Sequence, residues 1–221
     1  MANTILTQYQ NKFLEFVKEQ PILTNYFYFT GGTCLSEYYL HHRFSEDLDF
    51  FTEKEIDPQS ITVLFHTHKS TLEYKTLDFQ QSFNRNLFFF TFNKGQQLKV
   101  EFTYFPFERI DKSNQKGSLS IDSLKDISVN KLFTIYQKPR GRDFYDLYAI
   151  YQKSSWNLKE LMGLAKIKFD THIDPLQLGR NLMQVETLKD DPLVTQQLYQ
   201  YTEVVSFFNT IATSLKREII N

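Results

Sequence analysis

The sequence changes its period once, at Pro106, and that switch limits what the chain can fold into. Before it lie short segments rich in aromatic and branched residues, at 26–30, 48–51, 72–79, 85–92 and 98–105, with a hairpin turn at 93–96. Between them sit three helical patterns. Residues 4–19 carry a stripe of Ile5, Phe13, Phe16 and Val17 and end at Pro21. In 33–42, Leu35, Tyr38, Tyr39 and His42 share one face. Residues 58–68 open on Asp57 as N-cap and Pro58 at the first turn. After Pro106 comes a polar stretch, 111–118, read as a loop. Helical spacing then runs through 123–137, 142–153, 158–169, 175–188 and 193–218, broken at Pro139, Gly141, Pro175 and Pro192. The chain therefore reads as α+β, a mixed core over 1–110 and an all-helical region over 111–221.

Composition narrows the class. The 22 Phe and 13 Tyr among 221 residues supply ample core material. No apolar run approaches the roughly 18 residues of a membrane span, so no membrane partner is expected. The first twenty residues lack the basic start and apolar block of a signal peptide. A single cysteine, Cys34, excludes an internal disulfide framework and fits the cytoplasm; it reads as buried packing. The net charge of -1 argues against a protein that coats nucleic acid. Charge is unevenly placed, however. Residues 36–57 hold seven acids against two bases, and 125–168 hold nine bases against four acids. An acidic segment suits metal ions and a basic one suits phosphates, although ordinary solvated faces would give the same tally.

The chemistry-bearing pattern begins at Gly31-Gly32-Thr33, between a strand and a helix. Glycines there let a phosphate approach the backbone, and a helix N-terminus offers free N–H groups, with Thr33 able to cap it. Taken alone, the same pattern serves as a structural turn. Asp47 and Asp49 then alternate along a strand, so both carboxylates share the face opposite Leu48 and Phe50. Paired acids on a short aromatic strand call for a compensating cation, and a divalent ion takes carboxylate and phosphate oxygens together. An exposed edge strand with two solvated acids is the competing reading. Glu101, on a later strand, could complete a metal site or simply face solvent.

Further on, Lys131 sits between Val129 and Leu132, a half-buried ammonium in need of an anion. Arg140-Gly141-Arg142-Asp143 opens the next helix, where Asp143 and Asp146 lie one turn apart. Asp143 reads equally as a site acid or in a structural role, as a cap at the helix start or a salt bridge to Lys131, and the cluster can do both. His41, His42, His66 and His68 lack zinc-ligand spacing and read as surface or core histidines.

In combination these residues resemble a known family. The run 29–51 has Gly31-Gly32-Thr33 near its head, His41-His42-Arg43 in its middle and Ser45-Glu46-Asp47-Leu48-Asp49-Phe50-Phe51 at its end. With the block 127–148, which carries Lys131 and Arg142-Asp143-Phe144-Tyr145-Asp146-Leu147-Tyr148, it resembles the AbiEii nucleotidyltransferase toxins of type IV abortive-infection systems, within the DNA polymerase β-like superfamily. The resemblance implies a small mixed sheet with flanking helices, followed by a helical bundle that contributes Lys131 and Asp143 to the site. It implies Mg²⁺ (or Mn²⁺) on Asp47 and Asp49, with Glu101 where the superfamily supplies a third carboxylate. Phosphates would be held by Gly31, Gly32 and Thr33, with Lys131 and Arg142 on the triphosphate and Asp143 as a catalytic or organising acid. The implied reaction moves a nucleotide from an NTP to an acceptor hydroxyl, such as the tRNA 3′ end or another RNA, in a toxin with a cognate antitoxin. The alternatives are a catalytically silent nucleotide-binding scaffold, an Asp-x-Asp glycosyltransferase and a haloacid-dehalogenase-type phosphatase. The glycosyltransferase does not need a Gly-Gly-helix unit ahead of the motif, and the phosphatase carries its Asp-x-Asp on the first strand, whereas here a strand-turn-helix precedes it.

Overall fold

A computed structural model describes residues 4–188 and 198–220, with side chains described to residue 215. The chain forms two compact units that interleave along the sequence. The first comprises Met1–Tyr39, Ser45–Glu108 and Lys112–Ser123; the second comprises Leu40–Phe44, Arg109–Asp111 and Leu124–Asn221.

The first unit is a seven-stranded mixed sheet with helices. Its strands are β1 (Tyr28–Thr30), β2 (Leu48–Thr52), β3 (Thr76–Ser82), β4 (Arg85–Thr91), β5 (Gln97–Tyr104), β6 (Asn114–Lys116) and β7 (Leu119–Ile121), in the order β3-β4-β5-β2-β1-β7-β6. β2 runs parallel to β5 and β1 parallel to β7; the other pairs are antiparallel. The helices are α1 (Gln8–Lys18), α2 (Pro21–Thr24), α3 (Gly31–Leu35), α4 (Pro58–Thr67) and α5 (Lys69–Leu72). Local chemistry sets their ends. Thr7 and Gln10 form a reciprocal capping box on α1, and Asp57 accepts two backbone N–H groups at α4, whose first residue is Pro58. One sheet face is paved by Phe50, Phe88, Phe90 and Phe102. Phe13 of α1 and Phe65 of α4 pack on it with ring centroids 5.0–6.4 Å apart. This alternation sends residues of the opposite parity, Asp49 and Glu101 among them, to the other face.

Three expectations change here. The helix expected over 33–42 starts two residues earlier, and beyond Leu35 it widens into a π-helix, Ser36–Leu40; His41 then turns left-handed at φ 50°. The strand expected from residue 72 starts at Thr76, because Leu72 is buried as the end of α5 and Glu73 closes that turn in a left-handed conformation. The stretch read as a loop, 111–118, contains β6 and the turn into β7. Its polar side chains conceal β6, an edge strand that pairs with β7 in a tight hairpin through left-handed Gly117. The hairpin turn at 93–96 is present, as a 3₁₀ turn over Asn93–Gly95.

The second unit is helical: α6 (Leu124–Gln137), α7 (Gly141–Lys153), α8 (Leu158–Phe169), α9 (Pro175–Leu182) and α10 (Tyr201–Ile220). A helix is expected over 175–188; α9 ends at Leu182 and continues as a 3₁₀ turn. Of the helix expected over 193–218, residues 193–197 and the Pro192 break lie outside the described residues. Asn157 with Glu160 caps α8, and Asp174 with Pro175 starts α9. Ile127, Leu132, Phe144, Leu147, Leu178 and Phe208 are buried in its interior. Asp126 is fully buried. It accepts the Lys168 ammonium at 2.6 Å and the backbone N–H groups of Ile110 and Asp111, which fastens the segment Arg109–Asp111 to the helices. No helix among the described residues is long and apolar enough to cross a membrane.

Candidate active site

In the first unit the two expected motifs interlock. Gly31 has φ 77°, the left-handed region, and the space a Cβ would fill there is taken by the Asp49 carboxylate. Glycine is thus required twice, by backbone conformation and by the approach of an acid. Thr30 and Asp49 are partners in the β1–β2 register. Thr33 does not cap the helix. It is fully buried, and its hydroxyl donates to the backbone carbonyl of Asp47. The N-cap position belongs to Thr30, whose own hydroxyl donates to the buried carboxylate of Asp122 at 2.7 Å and not to the helix. A phosphate at this turn would therefore meet the Thr33 backbone N–H and not its side chain.

Asp47 and Asp49 point to the non-core face of β2. Asp47 is 30% exposed and accepts the Lys99 ammonium at 2.7 Å. Asp49 stands opposite Glu101 in the parallel β2–β5 register. Glu101, 4% exposed, accepts Arg85 Nε at 2.7 Å, Arg85 Nη2 at 2.6 Å and the Thr103 hydroxyl at 2.7 Å. Burial pushes its carboxyl pKa up, but the Arg85 and Thr103 bonds outweigh that and hold it below the ordinary value. Three carboxylates and two cations thus share this face. Among the described residues no three His, Cys, Asp or Glu side chains converge as a ready metal cage. The donor set nonetheless fits Mg²⁺ or Mn²⁺, which take one or two carboxylates and complete their shell with substrate phosphates and water.

The second unit holds a different charge cluster. Asp146, fully buried on α7, accepts Arg43 Nε at 2.6 Å, Arg43 Nη2 at 2.8 Å, the His42 ring at 2.7 Å and Lys131 Nζ at 2.7 Å. Lys131 also donates to Asp143 at 2.8 Å, and Arg140 reaches Asp143 from the helix start. Burial alone would raise the Asp146 carboxyl pKa; Arg43 and Lys131 instead hold it well below the usual range. Asp143 is likewise held down by Lys131 and Arg140 against its burial. Burial lowers the His42 pKa. Because a carboxylate only accepts, the neutral ring must carry its proton on Nε2. Arg142 is half-buried at the second position of α7. Cys34 is buried, which keeps its thiol protonated, as expected for a packing residue.

Sequence reading paired Lys131 with Asp143 but missed Arg43, Asp122 and Arg85. A signal for Arg85 and its neighbours existed in the polar alternation Lys99, Glu101, Thr103 along a strand whose other parity is apolar. None existed for Asp122, which reaches its partner across 92 residues of sequence.

The family model of the nucleotidyl transferase AbiEii toxin, type IV toxin–antitoxin system, matches residues 15–201. An uncharacterized protein of Aquifex aeolicus (strain VF5) is 31% identical over 197 residues, spanning 84% of this chain and 85% of that protein. Among solved structures, a candidate nucleotidyltransferase from H. pylori aligns with a TM-score of 0.63 at 21% identity, over 96% of this chain and 97% of its own. JHP933 from Helicobacter pylori aligns at 0.54 and 19% identity, over 96% and 94%. Both show a shared fold, consistent with the α+β class read from the sequence. The chain belongs to the AbiEii nucleotidyltransferase toxin family of type IV toxin–antitoxin systems and is a nucleotidyltransferase.

Proposed function

We propose that this nucleotidyltransferase moves a nucleotide from an NTP to a hydroxyl of an RNA acceptor, the tRNA 3′ end being the first to test, in the cytoplasm and as the toxin partner of a cognate antitoxin. The observation that carries the reading is the Asp49 carboxylate lying over left-handed Gly31, with Asp47 fixed beside it through the Thr33 hydroxyl. That arrangement brings the glycine turn at a helix start against two hard oxygen donors. Asp47 and Asp49 would hold Mg²⁺ or Mn²⁺, and the bound ion would supply charge neutralisation for the phosphates. Glu101 could join them only if Arg85 and Thr103 released its oxygens.

In the transfer, the acceptor hydroxyl gives up its proton to water, its oxygen bonds to the α-phosphorus, the bond from that phosphorus to the bridging oxygen breaks, and pyrophosphate leaves. Gly31, which is partly exposed, would let a phosphate approach, and the backbone N–H groups of the buried Gly32 and Thr33 would donate to it. In the second unit, three cations (Arg43, Lys131, Arg140) against two carboxylates leave a positive balance suited to phosphate, with Arg142 on the same helix start. Lys131 and Arg142 would bind phosphate and Asp143 would hold the Lys131 ammonium in place.

The test is incubation with each NTP labelled at its α-phosphate, Mg²⁺ or Mn²⁺, and total RNA, purified tRNA or protein. Label should enter RNA. Asp47→Ala and Asp49→Ala should each lose transfer while keeping the parent's thermal melt. Full transfer by both variants would end this reading.

A further inference from the structure

We propose that Arg85 is a phosphate-binding residue of this site, and that Glu101 is the positioning residue that seats it and not a third metal ligand; this rests on the metal reading of Asp47 and Asp49 above. The geometry of the pair is unlike an ordinary cross-strand salt bridge. Glu101 is buried, and both of its oxygens are taken, by Nε and Nη2 of one guanidinium and by the Thr103 hydroxyl. Arg85 is not buried with it: its side chain remains 52% exposed. Nη1 makes no hydrogen bond among the described residues. The guanidinium is thus gripped along one edge by a fixed acid and presents its other edge outward.

Burying a carboxylate to hold an arginine that itself stays in water is a costly way to join two strands. It is an effective way to remove the rotamer freedom of a long side chain before a ligand arrives. The ligand class follows from the donor. A planar, permanently charged fork with an open edge matches phosphate oxygens. Its place follows from the register. Arg85 lies opposite Thr103 on β4–β5, and its acid Glu101 lies opposite Asp49 on β5–β2, one strand spacing of about 4.8 Å away. A phosphate held by an ion on Asp47 and Asp49 would stand beside this open edge. For Glu101 to ligate the ion instead, Arg85 would have to leave its seat. The phosphate could come from the NTP or from the acceptor's backbone, and the two sources separate by experiment.

The full-length chain is assayed for three affinities: free Mn²⁺ by electron paramagnetic resonance, Mg-pyrophosphate by calorimetry, and a single-stranded RNA oligonucleotide by fluorescence anisotropy. Arg85→Gln should weaken pyrophosphate binding (the NTP source) or RNA binding (the acceptor source) by about tenfold or more, the order of one charge-assisted hydrogen bond. Arg85→Lys, which keeps the charge and loses the fork, should fall between and serves if the Gln variant does not fold. Glu101→Gln should copy the anion defect and leave Mn²⁺ affinity within about twofold, because a group that is not a ligand adds nothing to ion binding. The proposal is overturned if both Arg85 variants keep both anion affinities, or if Glu101→Gln abolishes Mn²⁺ binding. A parent protein that binds neither anion overturns it as well. Failure of the underlying metal reading looks different: Mn²⁺ binding would then be indifferent to Asp47→Asn and Asp49→Asn.

Discussion

The chain carries two aspartate pairs, and the two units treat them in opposite ways. Asp47 and Asp49 stand two apart at the start of a strand, and the cation on Asp47 is a Lys99 about as exposed as the acid itself. Asp143 and Asp146 stand three apart on a helix and are wholly buried, with Arg43, Lys131 and Arg140 bonded to them. An exposed pair contributes little to stability and exchanges readily; a buried one is costly to break because the survivor is stranded. The first arrangement leaves the Asp47 carboxylate partly exposed at the sheet face. The second fixes a lysine and two helices in one geometry. The same residue type thus sits in a partly exposed pair in one unit and in a rigid cluster in the other, and burial makes the difference.

The largest effect expected from this contrast is on stability. Asp146→Ala strands the Arg43 guanidinium in the interior and leaves Lys131 only Asp143, and should cost about 3–5 kcal/mol by chemical denaturation, whereas Asp47→Ala should cost under about 1 kcal/mol. Equal losses would erase the distinction. Next comes Gly31→Ala, which forces a left-handed alanine at roughly 1–2 kcal/mol. Its Cβ also lands on the Asp49 carboxylate. Label transfer should drop on the order of a hundredfold, as expected when reacting groups are displaced. Near-parental transfer would show that Asp49 has no need of its present position.

The clusters should also differ in acid. His42 has a folded pKa below its ordinary 6.5, so the unfolded chain takes up the proton first and stability declines as pH falls below about 6.5. Asp146 and Asp143 have folded pKa values below 3.8, so their contribution is complete above about 4 and is lost as pH falls further, through those lowered values. Denaturation curves between pH 8 and 3 should therefore show two successive declines. His42→Gln should remove the first and spare the second; a curve still sloping near pH 6 would assign that decline elsewhere. The smallest effect is expected at Lys99→Met. Stability should change by under about 1 kcal/mol, and Mn²⁺ affinity should rise about threefold as the competing ammonium leaves Asp47. Unchanged affinity would mean that Lys99 does not compete with the ion.

The sequence by itself determined the features that depend on near neighbours. Proline and cap residues fixed the starts of α4 and α9, and the glycine pair marked the change from strand to helix. Alternating phenylalanines assigned the core face of β2, β4 and β5, and so placed Asp49 and Glu101 on the other. Lys131, flanked by apolar residues, announced its need for an acid. Only the tertiary structure decided which distant groups would meet. Nothing near Asp146 predicts that its bidentate partner is Arg43, 103 residues earlier. Nothing in 111–118 predicts a strand turning into one that lies parallel to β1, because polar side chains leave the backbone pairing open until a neighbour's edge is presented. Local pattern fixes what a residue prefers, and long-range register and burial fix which partner satisfies it. The acids proposed for the site were therefore placed on one face by the sequence pattern, while their bonds to Arg85 and Lys99 waited for the sheet.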